Sequence, residues 1–301
     1  MTTIDTPERS VELGNPDKVL FPDVGLTKRD LAEHYLRVAD LALPHLRGRP
    51  LTMERHPDGI EASGFVQKEA PGHFPDWIRT VTVPKEGGEV THVVCDDAAT
   101  LVYLVDQACI TPHVWLSTTD HLDRPDRLVV DLDPPRGADD PEPVRFAARA
   151  VRDVLDELDL SSRLMTTGSK GVHLIVPLDG QLGFDEVRGL ARRIAGVAAG
   201  RHDDRLTIAQ RTDARRGRVF LDILRNGYAQ TTVAPYAVRT RPGAPVATPI
   251  DWDELGRVTP RRYTVSNLAR RLGQKDDPWH DDGIGPQSLD DVAARLDDLE
   301  A

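Results

Sequence analysis

Hydrophobic positions along the chain recur at two spacings, one typical of helices and the other of strands. Leu31, Tyr35 and Val38 lie about one helical turn apart. Thr27 precedes them and can cap the first turn, so we expect a helix over 27–46. The same spacing predicts further helices over 97–108, 141–158, 184–200, 263–272 and 288–299. Short apolar runs bounded by turn residues predict strands near 49–54, 64–68, 78–83, 90–95, 127–133, 162–166, 172–178 and 218–224.

The order of these elements predicts a mixed α/β (α+β) fold with mainly antiparallel sheets flanked by helices. Several consecutive strands have no helix between them, whereas parallel strands need a long crossover connection. The pattern is therefore not that of a regular doubly wound sheet. The chain has no fixed-period repeat, no low-complexity block and no long linker, which predicts one domain over 1–301.

Composition narrows the class of protein further. No apolar run approaches the roughly 18 residues that a membrane-spanning helix needs. The first ten residues, MTTIDTPERS, lack the basic and apolar segments of an export signal. Two cysteines, Cys95 and Cys109, are too few for a disulfide framework or a four-cysteine zinc site. We therefore expect a cytoplasmic protein.

The net charge of −11 argues at first against a nucleic-acid partner, because binding to phosphate depends on Lys and Arg. The charge is unevenly distributed, however. The segment 276–301 holds nine acidic residues and one basic residue, whereas 257–275 holds six basic residues and no acidic one. Local clusters indicate binding partners better than the overall sign does. We interpret 276–301 as a solvated, partly helical acidic tail.

Three aspartates lie in strand-like apolar runs. Asp131 and Asp133 in RLVVDLD point to one face of the strand, where two carboxylates repel each other unless a cation lies between them. A solvated strand end explains this pair equally well. Asp222 lies inside RVFLDIL, where an unpaired charge is costly. Three such aspartates can form a two-metal site for phosphoryl transfer.

A glycine-rich turn, TTGSKG, joins the strands predicted at 162–166 and 172–178. Its backbone can approach an anion, and Lys170 offers a positive charge to phosphate. His173 begins the next strand, where a lone histidine is more often structural than catalytic. The turn is not a Walker A loop, because no helix follows it and the spacing differs.

Further basic residues flank these motifs. Arg239 and Arg241 would share one face if their segment is extended, and Arg215 precedes the strand that carries Asp222. Lys18 and Lys28 stand on either side of VLFPDVGLT, whose Pro22 and Gly25 suggest a turn, so both could bind one anion. The alternative is that each is an ordinary surface residue that keeps the chain soluble.

Taken in order, these segments resemble the polymerase domain of bacterial DNA ligase D, a branch of the archaeo-eukaryotic primase superfamily. The likeness runs through NPDKVLFPDVGLTKRDL, RPLTMERHPDGI, GFVQKEAP, PDRLVVDLDPP, TTGSKGVHLIVPL and VFLDILRNGYAQTTVAPYAVRTRPGAPVATPIDWDEL. The resemblance implies a primase-like catalytic core over about 111–275. It also implies a DNA-end-binding part over about 1–110, followed by the acidic tail 276–301.

The resemblance assigns roles around the nucleotide. Asp131, Asp133 and Asp222 correspond to the ligands of two divalent metal ions, Mn²⁺ preferred or Mg²⁺. The positions that match nucleotide contacts, with an NTP or dNTP as substrate, are His113, Thr167, Ser169, Lys170, His173, Arg215, Arg239 and Arg241.

Other matching positions imply contacts to DNA. Asn15, Lys18 and Lys28 correspond to a pocket that binds the 5′-phosphate on the downstream side of a gap, and Phe65 to an aromatic contact with bases. Many relatives have two adjacent aromatics where this chain has Phe65 and Val66, so stacking is expected to be weaker.

The implied function is template-dependent addition of nucleotides, ribonucleotides preferred, at DNA gaps or double-strand-break ends. The resemblance also implies that this addition proceeds by two-metal phosphoryl transfer and serves non-homologous end joining or excision repair. The chain lacks the K-x-D-G motif of a ligase nucleophile, the nearest string being HPDG at 56–59. We therefore expect a stand-alone, monomeric, nucleoid-associated polymerase domain that acts with Ku and a separate DNA ligase.

Two other classes of function stay open. The chain could be a non-catalytic module that bridges DNA ends, although the intact aspartates argue against it. It could also be a different metal-dependent phosphotransferase acting on a small substrate, although Lys18, Lys28 and the dispersed arginines favour DNA. A milder variant keeps the chemistry and assigns it to primer synthesis.

Overall fold

The computed structural model describes residues 1–300, which form sixteen strands and eight α-helices. The strands are β1 (Thr2–Asp5), β2 (Ser10–Leu13), β3 (Val19–Phe21), β4 (Leu26–Thr27), β5 (Leu51–Arg55), β6 (Phe65–Gln67), β7 (Thr80–Lys85), β8 (Gly88–Val93), β9 (Cys109–Trp115), β10 (Arg127–Asp133), β11 (Arg163–Thr166), β12 (Val172–Pro177), β13 (Leu206–Thr207), β14 (Val219–Asp222), β15 (Thr231–Val233) and β16 (Thr248–Ile250). The helices are α1 (Lys28–Arg37), α2 (Ala39–Leu46), α3 (Ala98–Asp106), α4 (Glu142–Glu157), α5 (Phe184–Arg201), α6 (Thr212–Arg215), α7 (Leu268–Leu272) and α8 (Val292–Glu300). Short 3₁₀ turns lie at Leu224–Asn226 and Trp252–Glu254.

Contacts between these elements divide the chain into two units, each built from separate stretches of sequence. The first unit comprises residues 1–120, 231–248 and 263–274. The second comprises residues 121–230, 249–262 and the chain from 275 onward. The units do not follow the expected boundaries near 110 and 275, because later segments return to the first unit. The expectation of one domain over 1–301 stays a prediction.

The first unit contains a four-stranded sheet in the order β15-β9-β5-β6 and three separate hairpins, β1–β2, β3–β4 and β7–β8. Thr27 caps α1 as predicted: its hydroxyl accepts from the Asp30 amide, while the Asp30 carboxylate accepts from the Thr27 amide. The predicted helix over 27–46 is two helices, because the backbone at Val38 leaves helical geometry (φ −99°, ψ 6°).

The second unit contains a six-stranded sheet in the order β13-β14-β10-β12-β11-β16. β10 pairs antiparallel with β12 and β14, and β11 pairs antiparallel with β12, whereas β13 runs parallel to β14. The apolar faces of α4 and α5 pack against this sheet. The predicted fold, a mixed α/β structure with mainly antiparallel sheets flanked by helices, is confirmed.

The strand β10 covers the predicted segment 127–133 residue for residue. Leu128, Val129, Val130 and Leu132 are almost completely buried, so the strand is held on both faces by apolar contacts. Asp131 and Asp133 are half-buried at its end, where Pro134 follows and the ladder stops. The buried strand therefore fixes the position of both carboxylates.

The interpretation of 276–301 as a solvated tail is wrong for the described residues of that segment. Trp279, Leu289, Val292 and Leu296 are buried in the second unit. Arg163 donates two hydrogen bonds to Asp282, and Arg193 donates to Asp297 and Glu300 on α8. The sequence pattern suggested solvation because the segment is rich in acidic residues, yet these four large apolar side chains pack into the protein.

Two further expectations concern cysteines and membranes. Cys95 and Cys109 are both buried, and neither forms a disulfide. Within residues 1–300, every helix is too short or too polar to cross a lipid bilayer.

Candidate active site

The strands of the second unit bring the three predicted aspartates together. Asp131 on β10 lies directly opposite Asp222 on β14, and directly opposite His173 on β12. Asp133 is two residues further along β10 and shares a face with Asp131. Three neighbouring strands thus place a row of two carboxylates and an imidazole across one end of the sheet.

The three carboxylates form the one cluster among residues 1–300 whose ligand atoms could hold a metal ion, all within 4.8 Å of one another. Burial, together with the charges of Asp131 and Asp222, raises the pKa of Asp133 to about 6. Burial also raises the pKa of Asp222, and Asp131 adds to the effect. A divalent cation would remove this repulsion, and oxygen donors are those that Mg²⁺ and Mn²⁺ prefer. The cluster therefore fits a hard divalent cation.

His173 is 4% exposed, and its Nε2 lies 3.4 Å from Asp131 Oδ1. Its Nδ1 is buried without a hydrogen-bond partner among the described residues. Such an orphaned nitrogen is unusual in a protein interior and is typical of a functional position. The imidazole is therefore at the edge of the acidic cluster, as the predicted nucleotide contact requires.

The predicted phosphate-binding turn lies between β11 and β12, and Thr167 organises it. The Thr167 hydroxyl donates to the Gly171 carbonyl and accepts from the amides of Ser169 and Gly171. Thr167 is 5% exposed, so we infer that it acts by shaping the turn. Gly168 adopts φ 63°, a left-handed conformation that favours glycine.

Gly171 allows the turn to approach β10 closely. A Cβ atom there would lie 2.1 Å from the Leu132 carbonyl oxygen, between the two aspartates of β10. Any side chain at 171 would therefore push the turn away from the carboxylates. Lys170 next to it is exposed, and Ser169 is half-buried.

Arginines surround the acidic cluster in the second unit. Arg215 packs with its guanidinium 3.8 Å from the Phe220 ring, and Phe220 pairs with Asp133 across β10 and β14. Arg225 Nε lies 4.0 Å from Asp222 Oδ2. Arg261 donates from Nε to the Ser169 carbonyl at 2.8 Å and is otherwise exposed. The structure thus brings Arg215 and Arg225 to the acidic cluster and Arg261 to the turn.

The remaining predicted nucleotide contacts, His113, Arg239 and Arg241, belong to the first unit. His113 Nε2 donates to Glu54 Oε2 at 3.2 Å. Arg239 is half-buried, whereas Arg241 is exposed. The Arg241 amide donates to the Arg239 carbonyl, so the segment turns tightly there. The two arginines therefore lack the extended geometry that would place them on one face.

The predicted 5′-phosphate residues lie together around β3, β4 and the start of α1. Asn15 accepts from the Lys18 amide, and Lys18 in turn accepts from the Lys28 amide. The two lysine side chains differ. Lys18 Nζ pairs with Asp58 at 2.7 Å near the surface, whereas Lys28 is 7% exposed and donates to the Asp106 carbonyl at 2.9 Å.

Asn15 and Lys18 line an open depression of the first unit, and Arg29 lines it with them. Arg29 Nη2 lies 3.3 Å from Asp17, and its Nε has no partner among the described residues. Because the Lys28 ammonium is engaged with Asp106, Lys18 and Arg29 are the more accessible cations there. The role of all three predicted residues at a phosphate stays a prediction.

Phe65 lies on the edge strand β6 and is 47% exposed, and Val66 beside it is 65% exposed. The Arg55 guanidinium, directly opposite on β5, lies 5.4 Å from the centre of the Phe65 ring. Arg55 is itself held by the Gln107 carbonyl and the Gln67 side chain. Phe65 therefore presents an exposed ring at the edge of this sheet, with the Arg55 guanidinium beside it.

Sequence reasoning missed several residues that the structure places at these sites: Arg29, Glu54, Arg225 and Arg261. Arg29 is adjacent to Lys28 and Arg225 lies three residues after Asp222, so sequence proximity was an available signal. Glu54 looks like an ordinary strand residue in LTMER, and Arg261 lies far from the turn it contacts. No local pattern marks the last two.

An acidic cluster at the end of an antiparallel sheet, beside a glycine-rich turn, is the arrangement that the resemblance to a primase-polymerase domain implies. The model of the LigD primase-polymerase domain matches residues 27–279. The chain belongs to that family, and the predicted resemblance is confirmed.

A solved structure, the polymerase domain from Mycobacterium tuberculosis ligase D in complex with DNA, is similar with a TM-score of 0.83. It is 33% identical, and the likeness covers 89% of this chain and 96% of that one. The multifunctional non-homologous end joining protein LigD of Mycolicibacterium smegmatis is 34% identical over 89% of this chain. The bifunctional non-homologous end joining protein LigD of Bacillus subtilis is 30% identical over 90%. The chain spans only 35% and 44% of those two proteins.

Proposed function

We propose that this protein adds nucleotides, ribonucleotides preferentially, to primer ends at DNA gaps or double-strand breaks, copying a template strand. The observation that carries the proposal is the row of Asp222, Asp131 and His173 across three paired strands, with Asp133 on the same face. The relatives named above are non-homologous end joining proteins, which supports a place in that pathway or in excision repair.

The acidic cluster would hold two divalent cations, with Mn²⁺ preferred over Mg²⁺. Such ions supply charge neutralisation to the phosphoryl group that is transferred. The protein's own residues bind and orient the triphosphate. Lys170 and His173 approach it from the turn and the adjoining strand, and Arg215 adds a guanidinium that can bind phosphate. The resemblance further assigns nucleotide contacts to His113, Arg239 and Arg241.

We propose that Asn15 and Lys18 bind a 5′-phosphate at the depression they line. Lys28 would hold Lys18 in place, since its amide donates to the Lys18 carbonyl. Phe65 would stack on a DNA base, since an exposed ring can bind any base through its face. We further propose that the protein acts as a monomer at breaks in the chromosome. Ku and a separate DNA ligase would be its partners there.

Extension of a gapped duplex that carries a 5′-phosphate tests this function. The reaction contains Mn²⁺ or Mg²⁺ with either NTPs or dNTPs. We expect extension with both metals, faster with Mn²⁺ and with NTPs. Asp133→Asn should abolish it, whereas Asp204→Asn, an exposed aspartate in the same unit, should leave it unchanged.

Three outcomes would redirect the proposal. Tight DNA binding without any incorporation would favour an end-bridging module. Phosphoryl transfer to a small acceptor in the absence of DNA would favour a different phosphotransferase. Extension that does not depend on the 5′-phosphate would keep the polymerase and remove the recognition of breaks.

A further inference from the structure

Glu54 on β5 of the first unit accepts hydrogen bonds at both of its carboxylate oxygens. Thr240 donates from its hydroxyl to Oε1 at 2.5 Å, and His113 donates from Nε2 to Oε2 at 3.2 Å. The Glu54 side chain is 21% exposed, as is that of His113. The carboxylate thus connects a central strand, a neighbouring strand and the segment after β15.

The strand register explains why Glu54 and His113 meet. Thr52 of β5 lies directly opposite His113 of β9, and Glu54 is two residues further on the same face of β5. Diagonal neighbours of this kind are within reach of long side chains. The contact is therefore built into the sheet and does not depend on a mobile loop.

A second histidine lies near the carboxylate oxygen that accepts from Thr240. His56 Nε2 lies 3.6 Å from Glu54 Oε1, and the His56 side chain is 12% exposed. Gly64 leaves room for this ring, because a Cβ atom at 64 would lie 2.3 Å from its atoms. Glu54 is consequently held by hydrogen bonds from one imidazole and one hydroxyl, with a second imidazole beside it.

The electrostatic surroundings of Glu54 favour its ionised form. Burial opposes ionisation, but the hydrogen bonds from His113 and Thr240 and the charges of His113 and Arg239 lower the pKa of Glu54 to about 2. A fixed negative charge does not itself attract a phosphate. It is explained if the charge serves to hold the imidazole of His113, which is proposed to contact the nucleotide.

We propose that Glu54 is a positioning residue for nucleotide binding, which fixes the ring of His113. This inference rests on the proposed function, because it takes His113 as a nucleotide contact. A carboxylate behind an imidazole sets its tautomer and its ring plane. The specific consequence is an effect on nucleotide affinity that is transmitted through His113.

The test compares Glu54→Gln, which keeps the shape and removes the charge, with Glu61→Gln, an exposed glutamate of the same unit. We measure the ATP dissociation constant by calorimetry with Mg²⁺, and KM and kcat in gap extension. Removing a carboxylate behind a metal-ligating histidine costs about 10- to 100-fold in metal affinity or activity, and we take the lower end of that range for a nucleotide contact. We therefore expect Glu54→Gln to raise the dissociation constant and KM by about tenfold, with kcat changed less than about twofold.

A double-mutant cycle with His113→Ala identifies the route of the effect. If Glu54 acts through His113, the double variant binds ATP about as weakly as His113→Ala alone. Additive losses, or an unchanged dissociation constant in Glu54→Gln, would overturn the proposal. Thr240→Val, which removes one hydrogen bond and keeps the charge, should give a smaller loss and serves if Glu54→Gln does not fold.

The outcomes separate this proposal from the proposed function. A wild-type protein that binds ATP and never extends DNA would refute the polymerase, while the calorimetric comparison would still decide the role of Glu54. A wild-type protein that extends DNA with an unchanged affinity in His113→Ala would refute the role of Glu54 and leave the polymerase intact.

Discussion

The two units each contain a partly buried carboxylate whose pKa is shifted strongly, and the shifts have opposite signs. In the second unit, burial and two neighbouring aspartates raise the pKa of Asp133 to about 6. In the first unit, burial acts in the same direction on Glu54, yet the surrounding donors and cations lower its pKa to about 2. The neighbours, and not burial, determine the sign.

This difference indicates two kinds of role. Carboxylates that repel one another have too little neighbouring positive charge to offset the repulsion. Such a set is suited to bind a cation from solution. A carboxylate that is already surrounded by donors is satisfied, and it serves to fix those donors. The first arrangement costs stability until a ligand is bound, whereas the second contributes stability in the free protein.

The largest expected effect is on catalysis at the acidic cluster. Asp131→Asn should lower the rate of nucleotide addition by at least about 10²-fold. It removes a carboxylate that would hold the divalent cation, and that cation would neutralise the charge on the transferred phosphoryl group. Gap extension with Mn²⁺ measures the rate. Activity within about threefold of wild type would show that the cluster is not the catalytic centre.

The next effect is on the stability of the first unit. Glu54→Gln should lower the free energy of unfolding by about 1–3 kcal/mol at pH 7, because it weakens hydrogen bonds to an ionised acceptor. The lowered pKa means that this contribution is present above pH 4.5 and is lost as the pH falls toward about 2. Urea unfolding at pH 7 and pH 3 should show the difference between variant and wild type shrink in acid.

The opposite pH dependence of stability is expected at Asp133 when a chelator keeps divalent cations away from the acidic cluster. Its raised pKa destabilises the folded protein as the pH rises from 3.8 through about 6. Asp133→Asn should therefore raise Tm at pH 8 by about 2–4 °C, the shift that 1 kcal/mol gives in a protein of roughly this size. Little change is expected at pH 4, and a lower Tm at pH 8 would contradict the repulsion.

The smallest expected effect on stability is at Lys18, whose exposed ion pair can be compared with the buried one of Lys28. Lys18→Ala should change the free energy of unfolding by less than about 1 kcal/mol, because its pair with Asp58 is near the surface. It should nevertheless weaken the preference for a 5′-phosphorylated gap, measured by competition between phosphorylated and unphosphorylated duplexes. Lys28→Met should instead destabilise more, because it removes the hydrogen bond to the Asp106 carbonyl and the ion pair with the Asp106 carboxylate, both made by a buried ammonium. Equal losses of stability would contradict this distinction.

Several features could be predicted from the sequence because each depends on neighbours along the chain. The bounds of β10 follow from its apolar run and from Pro134, and the α1 cap follows from Thr27. The two aspartates of β10 share a face because strand side chains alternate. Asp222 could be added because a charge within an apolar strand needs a partner.

Other features depend on pairing between distant segments, which no local pattern specifies. Glu54 meets His113 through the register of β5 and β9, and Thr240 reaches the same carboxylate from far along the chain. Lys28 looked like a surface lysine, and only the fold buries it against Asp106. The split at Val38 and the parallel pairing of β13 likewise had no recognisable signal.

The packing of the C-terminal segment has a practical consequence for dividing the chain. The family match ends at residue 279, yet Leu289, Val292 and Leu296 complete the apolar interior of the second unit. Asp282 also neutralises Arg163, which lies on the sheet itself. A protein that ends at residue 279 would expose apolar surface of the second unit and leave the Arg163 guanidinium without Asp282, and we expect it to aggregate when it is produced.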